Sequence, residues 1–161
     1  WREANTPMVG PGRAEKEANL NWSGKKVAIL GLAFKQDTND TRNSPSINIV
    51  NFLLEKLVGA VQLYDPAAMP MFQAQFPPSG QLVYATSVAE AFFGADVIII
   101  ATDWPQFRGL ADTLISDLSS RPLVMDGRRL WQHRYAELQK AGFDIIAVGS
   151  PFIVGKSLKK I

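Results

Sequence analysis

Apolar positions along this chain follow two alternating rhythms. Short runs rich in β-branched residues occur at 27–30, 61–64, 97–101, 123–125 and 145–148, with a weaker one at 82–84. A run that is apolar on both of its alternating faces marks a strand covered on both sides. Between these runs the apolar residues recur every three or four positions, as on one face of a helix. Ile47, Val50, Leu53, Leu54 and Leu57 give the clearest case, a helix over 45–57, with Ser44 as N-cap, Pro45 in the first turn and Gly59 as its stop. Further helices are expected over 67–75, 87–93, 110–118 and 130–141, the last ended by Gly142. Strand and helix in strict alternation predict right-handed βαβ units. The expected fold is therefore α/β: a three-layer, Rossmann-like, doubly wound sheet of five or six mainly parallel strands.

Residues 1–24 lack any sustained apolar period and read as a linker or the remnant of a preceding element, and 150–161 reads as a tail with Phe152 packing back on the sheet. The globular domain is placed at 25–149. With 161 residues, 47% of them hydrophobic, the chain is long enough for one self-sufficient core. It has no cysteine and one histidine, His133, which excludes disulfides, thiolate nucleophiles and a zinc cluster. The net charge of +2 is partly carried by Lys156, Lys159 and Lys160 near the end, so no dense basic face is expected and nucleic acid is not an expected partner. The longest apolar run, 97–101, is far short of the roughly 20 residues that span a bilayer, so a cytoplasmic protein without a membrane partner is expected.

Open α/β sheets bind ligands beyond the carboxyl ends of their strands. The loop after the first strand, GLAFKQDTNDTRNSP from Gly31 to Pro45, brings Lys35 and Arg42 near a helix N-terminus, where free N–H groups and the helix dipole favour a phosphate. It has one glycine where the dinucleotide fingerprint needs three, so it is not a pyrophosphate turn for NAD. The alternative for Lys35 and Arg42 is a solvated loop in which they pair with Asp37 and Asp40.

The string Leu30-Gly31-Leu32-Ala33-Phe34-Lys35, followed by Asp37-Thr38 and by Asp40-Thr41-Arg42-Asn43-Ser44-Pro45, closely resembles the opening of the C-terminal domain of UDP-glucose/GDP-mannose dehydrogenases. Two further stretches resemble the same family in the right order: Ala101-Thr102-Asp103-Trp104-Pro105-Gln106-Phe107, in the form of the UDP-glucose members, and Asp126-Gly127-Arg128-Arg129. The turn Tyr64-Asp65-Pro66 also recurs in that family as a structural mark. The resemblance implies that Phe34, Lys35 and Arg128 bind the nucleotide sugar and that Arg42 lies toward the NAD site at a domain interface. On their own chemistry these residues leave other roles open. Asp65, after the second strand, suits either a ribose hydroxyl, as in many nucleotide folds, or a helix cap; Trp104 and Phe107 suit either the lining of a site or core cover under a loop; and Arg128 suits either capture of a phosphate or carboxylate or a helix-start pairing with Asp126. The segment from Gly149 to Ser157 imitates a phosphate-binding P-loop but has five residues between its glycines and too short a sequel for the helix.

Members of that family oxidise the C6 alcohol of a nucleotide sugar to a carboxylate in two hydride transfers to NAD, holding an aldehyde-level intermediate on a cysteine. No catalytic residue of that kind is present here. The resemblance thus implies a UDP-sugar-binding half-site of a UDP-glucose-oxidising member, inactive alone, completed by an N-terminal NAD-binding domain and working as a homodimer or larger. A relative acting on a UDP-N-acetyl sugar or on GDP-mannose, and a freestanding nucleotide-binding or regulatory scaffold domain, are the alternatives.

Overall fold

The computed structural model describes residues 10–117 and 120–156. Six strands, β1 Lys26–Leu30, β2 Ala60–Tyr64, β3 Leu82–Tyr84, β4 Val97–Ile100, β5 Leu123–Asp126 and β6 Ile145–Ala147, form one sheet in the order β3-β2-β1-β4-β5-β6. Every neighbouring pair is parallel. The order reverses between β1 and β4, so the chain leaves those two adjacent strands toward opposite faces and opens a crevice at their carboxyl ends.

Alternate residues of each strand divide the core in two. Val27 and Ile29, Val61 and Leu63, Val97 and Ile99, and Met125 pack with Ala14 of α1 (Pro11–Glu17), Ile49, Val50 and Leu53 of α2 (Pro45–Glu55) and Phe72 of α3 (Met69–Gln75). Ala28 and Leu30, Ile98 and Ile100, and Val124 pack with Ala91 of α4 (Val88–Phe92), Ala111 and Leu114 of α5 (Leu110–Ser116) and Leu138 of α6 (Tyr135–Lys140). The three-layer, doubly wound α/β fold expected from the sequence is the one observed. No described helix is long and apolar enough to cross a membrane.

Several local details differ from the sequence reading. Within 1–24, residues 1–9 lie outside the described residues, but 10–24 do not form a free linker. Ala14 and Trp22 are buried in the first core, Trp22 lies edge-on to Phe52, and Arg13 donates to the carbonyls of Ala147 and Ser150. The sequence concealed this because one helix of seven residues offers too few turns to show a period. At the other end Phe152 packs back on the first core, as the sequence reading expected, but the tail goes further: Ile153 pairs with Ile145 and Lys156 N–H donates to the Gln139 carbonyl, so it is packed as far as Lys156. α2 closes through Leu57 in the left-handed region (φ 61°) instead of through Gly59. Gly59 answers a different need: a Cβ there would stand 2.7 Å from the Gly24 carbonyl oxygen.

The helix expected over 130–141 is broken into a 3-10 turn, Gln132–Arg134, and α6. Buried Asp126 causes the break. Its Oδ1 accepts from the backbone N–H of Arg128 and Leu130, and its Oδ2 from Trp131 N–H and the Tyr135 hydroxyl, which wraps the chain around the carboxylate. Burial, and then the Asp126 carboxylate beside it, raise the Tyr135 hydroxyl well above its usual pKa, so this hydroxyl stays a donor.

Candidate functional site

The crevice at the switch point is built by the loops that follow β1, β4 and β5. The first loop leaves β1 at Gly31, whose φ of +105° and whose approach to Thr102 admit no side chain, since a Cβ would lie 2.4 Å from the Thr102 side chain. Thr102, at the end of β4, donates its hydroxyl to the Ala33 carbonyl at 2.8 Å. The two loops that flank the reversal are thereby stitched together.

Asp65 is the second stitch and is fully buried. Its Oδ2 accepts from Leu32 N–H at 2.7 Å, Ala33 N–H at 3.0 Å and the Trp104 indole N–H at 3.0 Å, while its Oδ1 accepts from Ala67 and Ala68 N–H, both at 2.8 Å. One carboxylate thus ties the loops after β1, β2 and β4. All of its lone-pair directions are engaged, so it caps and staples and does not face a ribose. Trp104 is buried and spends its only polar atom on Asp65. Phe107 lies under the same loop and accepts on its carbonyl from the Trp131 indole at 2.8 Å. For Asp65, Trp104 and Phe107 the structural alternative is therefore the one the geometry supports.

With the loop bases pinned, Phe34 and Lys35 stand at the exposed rim of the first loop, the Lys35 ammonium 5.4 Å from the Phe34 ring centre. The aromatic ring is one of few large apolar side chains left exposed among the described residues, at 37%. Arg128 stands after β5 at the same end of the sheet, and its guanidinium Nη2 lies 3.7 Å from Asp103 Oδ2 in the loop after β4. It does not pair with Asp126, whose oxygens are filled by four other donors. Neighbouring Arg129 turns away: it reaches the Val148 carbonyl, the Ser150 hydroxyl and Gln132, and so fastens the segment after β6.

Arg42 lies farther along the first loop, with 83% of its side chain exposed and Nη2 2.6 Å from Asp40 Oδ2. The pairing with Asp40 that the sequence left open is present, and Arg42's hydrogen bonds, side-chain and backbone, hold the Asp40 carboxyl down at about 2. The phosphate site expected at the start of α2 is not open. Ser44 accepts from Ser46 N–H, Ile47 N–H bonds to the Ser44 carbonyl, Pro45 has no N–H, and Ser44 and Ser46 are buried. The capping serine that made the site legible is also what closes it.

Residues 28–133 match the sequence profile described as the UDP-glucose/GDP-mannose dehydrogenase family, UDP binding domain. The chain belongs to this family. It is 35% identical over 132 residues to the UDP-glucose 6-dehydrogenase TuaD of Bacillus subtilis, covering 82% of this chain and 28% of that protein. It is 40% identical over 127 residues to a UDP-glucose 6-dehydrogenase of Rickettsia felis, covering 79% and 28%. Among solved structures, a UDP-glucose dehydrogenase from Pyrobaculum islandicum superposes with a TM-score of 0.65 at 29% identity, over 86% of this chain and 28% of the other. The chain thus spans a little over a quarter of the family members it matches. Membership accounts for the parallel sheet, and it assigns nucleotide binding to the domain that carries the crevice just described.

Proposed function

We propose that this chain is the UDP-sugar-binding half-site of an NAD-dependent dehydrogenase that oxidises UDP-glucose to UDP-glucuronate. The observation that supports the proposal is that an exposed aromatic ring, an ammonium and a guanidinium all stand on loops after strands, β1 and β5, at one end of the parallel sheet. The residues match what a nucleoside diphosphate sugar requires. Phe34 offers an apolar face, Lys35 a point charge, and Arg128 a planar fork suited to bidentate capture of an anion. Binding energy collected there, remote from the reacting carbon, orients the sugar for chemistry performed by groups outside this chain.

The residues present do not make a dinucleotide site. The turn at Gly31 is filled by Thr102, the start of α2 is capped, and Asp65, the acid after β2, is consumed by five donors. NAD belongs to a partner domain, to which this chain adds Arg42, exposed and able to exchange Asp40 for a phosphate across an interface. Assembly as a homodimer or larger, and a cytoplasmic setting, belong to the same proposal. Trp104 does not bear on the choice of sugar because it is buried on Asp65. UDP-glucose is preferred because the family members at 35% and 40% identity carry that name. A second solved relative at 29% identity, with a TM-score of 0.63, is a UDP-D-ManNAc dehydrogenase from Pyrococcus horikoshii, which keeps a UDP-N-acetyl sugar as the second reading.

Calorimetric titration of UDP-glucose, UDP, UDP-N-acetyl sugars, GDP-mannose and NAD into this chain and into the full-length protein tests the proposal. UDP ligands should bind in preference to GDP-mannose. Lys35→Ala or Arg128→Ala should each weaken them about 10- to 100-fold, the worth of a hydrogen bond to a charged group. Unchanged affinity in both variants of the full-length protein refutes it.

A further inference from the structure

One carboxylate lies within reach of the Arg128 guanidinium. Asp126, two residues before it, is filled by three backbone N–H groups and the Tyr135 hydroxyl, and has no acceptor left for a guanidinium. Among the described residues, Asp103 is the only carboxylate within ion-pair distance of Arg128. At 3.7 Å the contact is one of charge and not a hydrogen bond, and both side chains keep partial exposure, 38% for Arg128 and 29% for Asp103. The guanidinium is held loosely, with its N–H donors still to be used.

The direction of that hold matters. β4 lies between β5 and β1, with neighbouring strands about 4.8 Å apart. By leaning from the β5 loop onto the β4 loop, Arg128 moves toward the switch point and toward the loop that carries Phe34 and Lys35. Asp103 is itself fixed in place, since it lies between Thr102, bonded to Ala33, and Trp104, bonded to Asp65. Its Oδ1 is enclosed without a hydrogen-bond partner among the described residues. An enclosed, unpartnered acceptor costs stability, so the fold alone gives Asp103 no reason to be an acid.

We propose that Asp103 is a positioning residue, which aims the Arg128 guanidinium at the crevice so that it meets the diphosphate of the nucleotide sugar already oriented. This rests on the assignment of Arg128 to the nucleotide made above. Asp103 acts through Arg128 and does not contact the ligand. A carboxylate near a diphosphate also repels it, so the two roles an acid could have here differ in sign. Removing a mere repelling charge tightens binding, whereas removing a positioning charge weakens it.

The experiment is a double-mutant cycle on UDP-glucose affinity in the full-length protein, with Asp103→Asn, Arg128→Ala and the pair, and with Asp103→Glu as the conservative variant. Asp103→Asn should weaken binding about 3- to 5-fold, as expected for a half-exposed ion pair, should add nothing in the Arg128→Ala background, and should be partly rescued by Asp103→Glu. Should the asparagine variant not fold, Asp103→Ser takes its place with the same expectation. Tighter or unchanged binding in Asp103→Asn, with Arg128→Ala still weakened, overturns the positioning role and leaves the binding site standing. An equal loss from Asp103→Asn with and without Arg128 also overturns it, since Asp103 would then act independently of Arg128. No loss in Arg128→Ala itself removes Arg128 from the site, and the positioning role with it.

Discussion

Replacing Asp65 by asparagine keeps the size of the side chain and removes half of its acceptors. The carboxylate takes five hydrogen bonds, three on Oδ2 and two on Oδ1. An amide oxygen can keep one set, but the amide nitrogen then points its own hydrogens at the N–H groups of the other. At least two hydrogen bonds to a charged acceptor are lost in a site from which water is excluded, each worth about 1.5–3 kcal/mol. Allowing for relaxation, the expected cost is about 3–4 kcal/mol, a large share of the roughly 5–15 kcal/mol that holds a domain together. Urea unfolding followed by circular dichroism should show a lower midpoint at unchanged slope, and the thermal midpoint should fall by about 10 °C. Trp104→Phe removes a single bond from the same carboxylate and should cost about 1–2 kcal/mol, provided the ring still fills its place. Because Leu32 and Ala33 anchor the base of the loop bearing Phe34 and Lys35, nucleotide affinity should drop together with stability in Asp65→Asn. A variant within about 0.5 kcal/mol of the parent would refute the view that Asp65 is the staple of the crevice.

Two further outcomes are expected. Gly31→Ala combines a positive φ with a Cβ 2.4 Å from Thr102, and should lower stability by more than about 3 kcal/mol or abolish soluble protein; a thermal midpoint near the parent's would contradict the close approach. The Asp40 carboxyl, lowered from 3.8 to about 2 by its bonds to Arg42, contributes stability that is present above its unfolded pKa and lost as the pH falls from about 4 through 2. Carboxyl NMR titration should find that midpoint near 2 and see it return toward 3.8 in Arg42→Ala, while a midpoint near 3.8 in the parent would show that the pair does not persist in solution.

Much of the architecture was legible along the chain because it follows from local periodicity. The β4 run is apolar on both faces, so a strand there had to be covered on both sides, and the spacing of Ile47, Val50 and Leu53 left α2 one face to bury. Lys35, Arg42 and Arg128 were legible as candidates because strand ends are where such sheets bind ligands, and Phe34 only through the resemblance of its loop to the family. What each of them touches was not. Asp65 joins residues more than thirty positions away on either side, and Arg128 is aimed by an aspartate 25 positions before it that shares no motif with it. Helix caps and strand alternation are decided by near neighbours, so the sequence determined them. The burial of Trp22 and Trp104 and the pairing of Arg128 with Asp103 depend on which distant segments the fold brings together. Only the tertiary structure decided those, because a carboxylate's partners are set by distance in space and not by spacing along the chain.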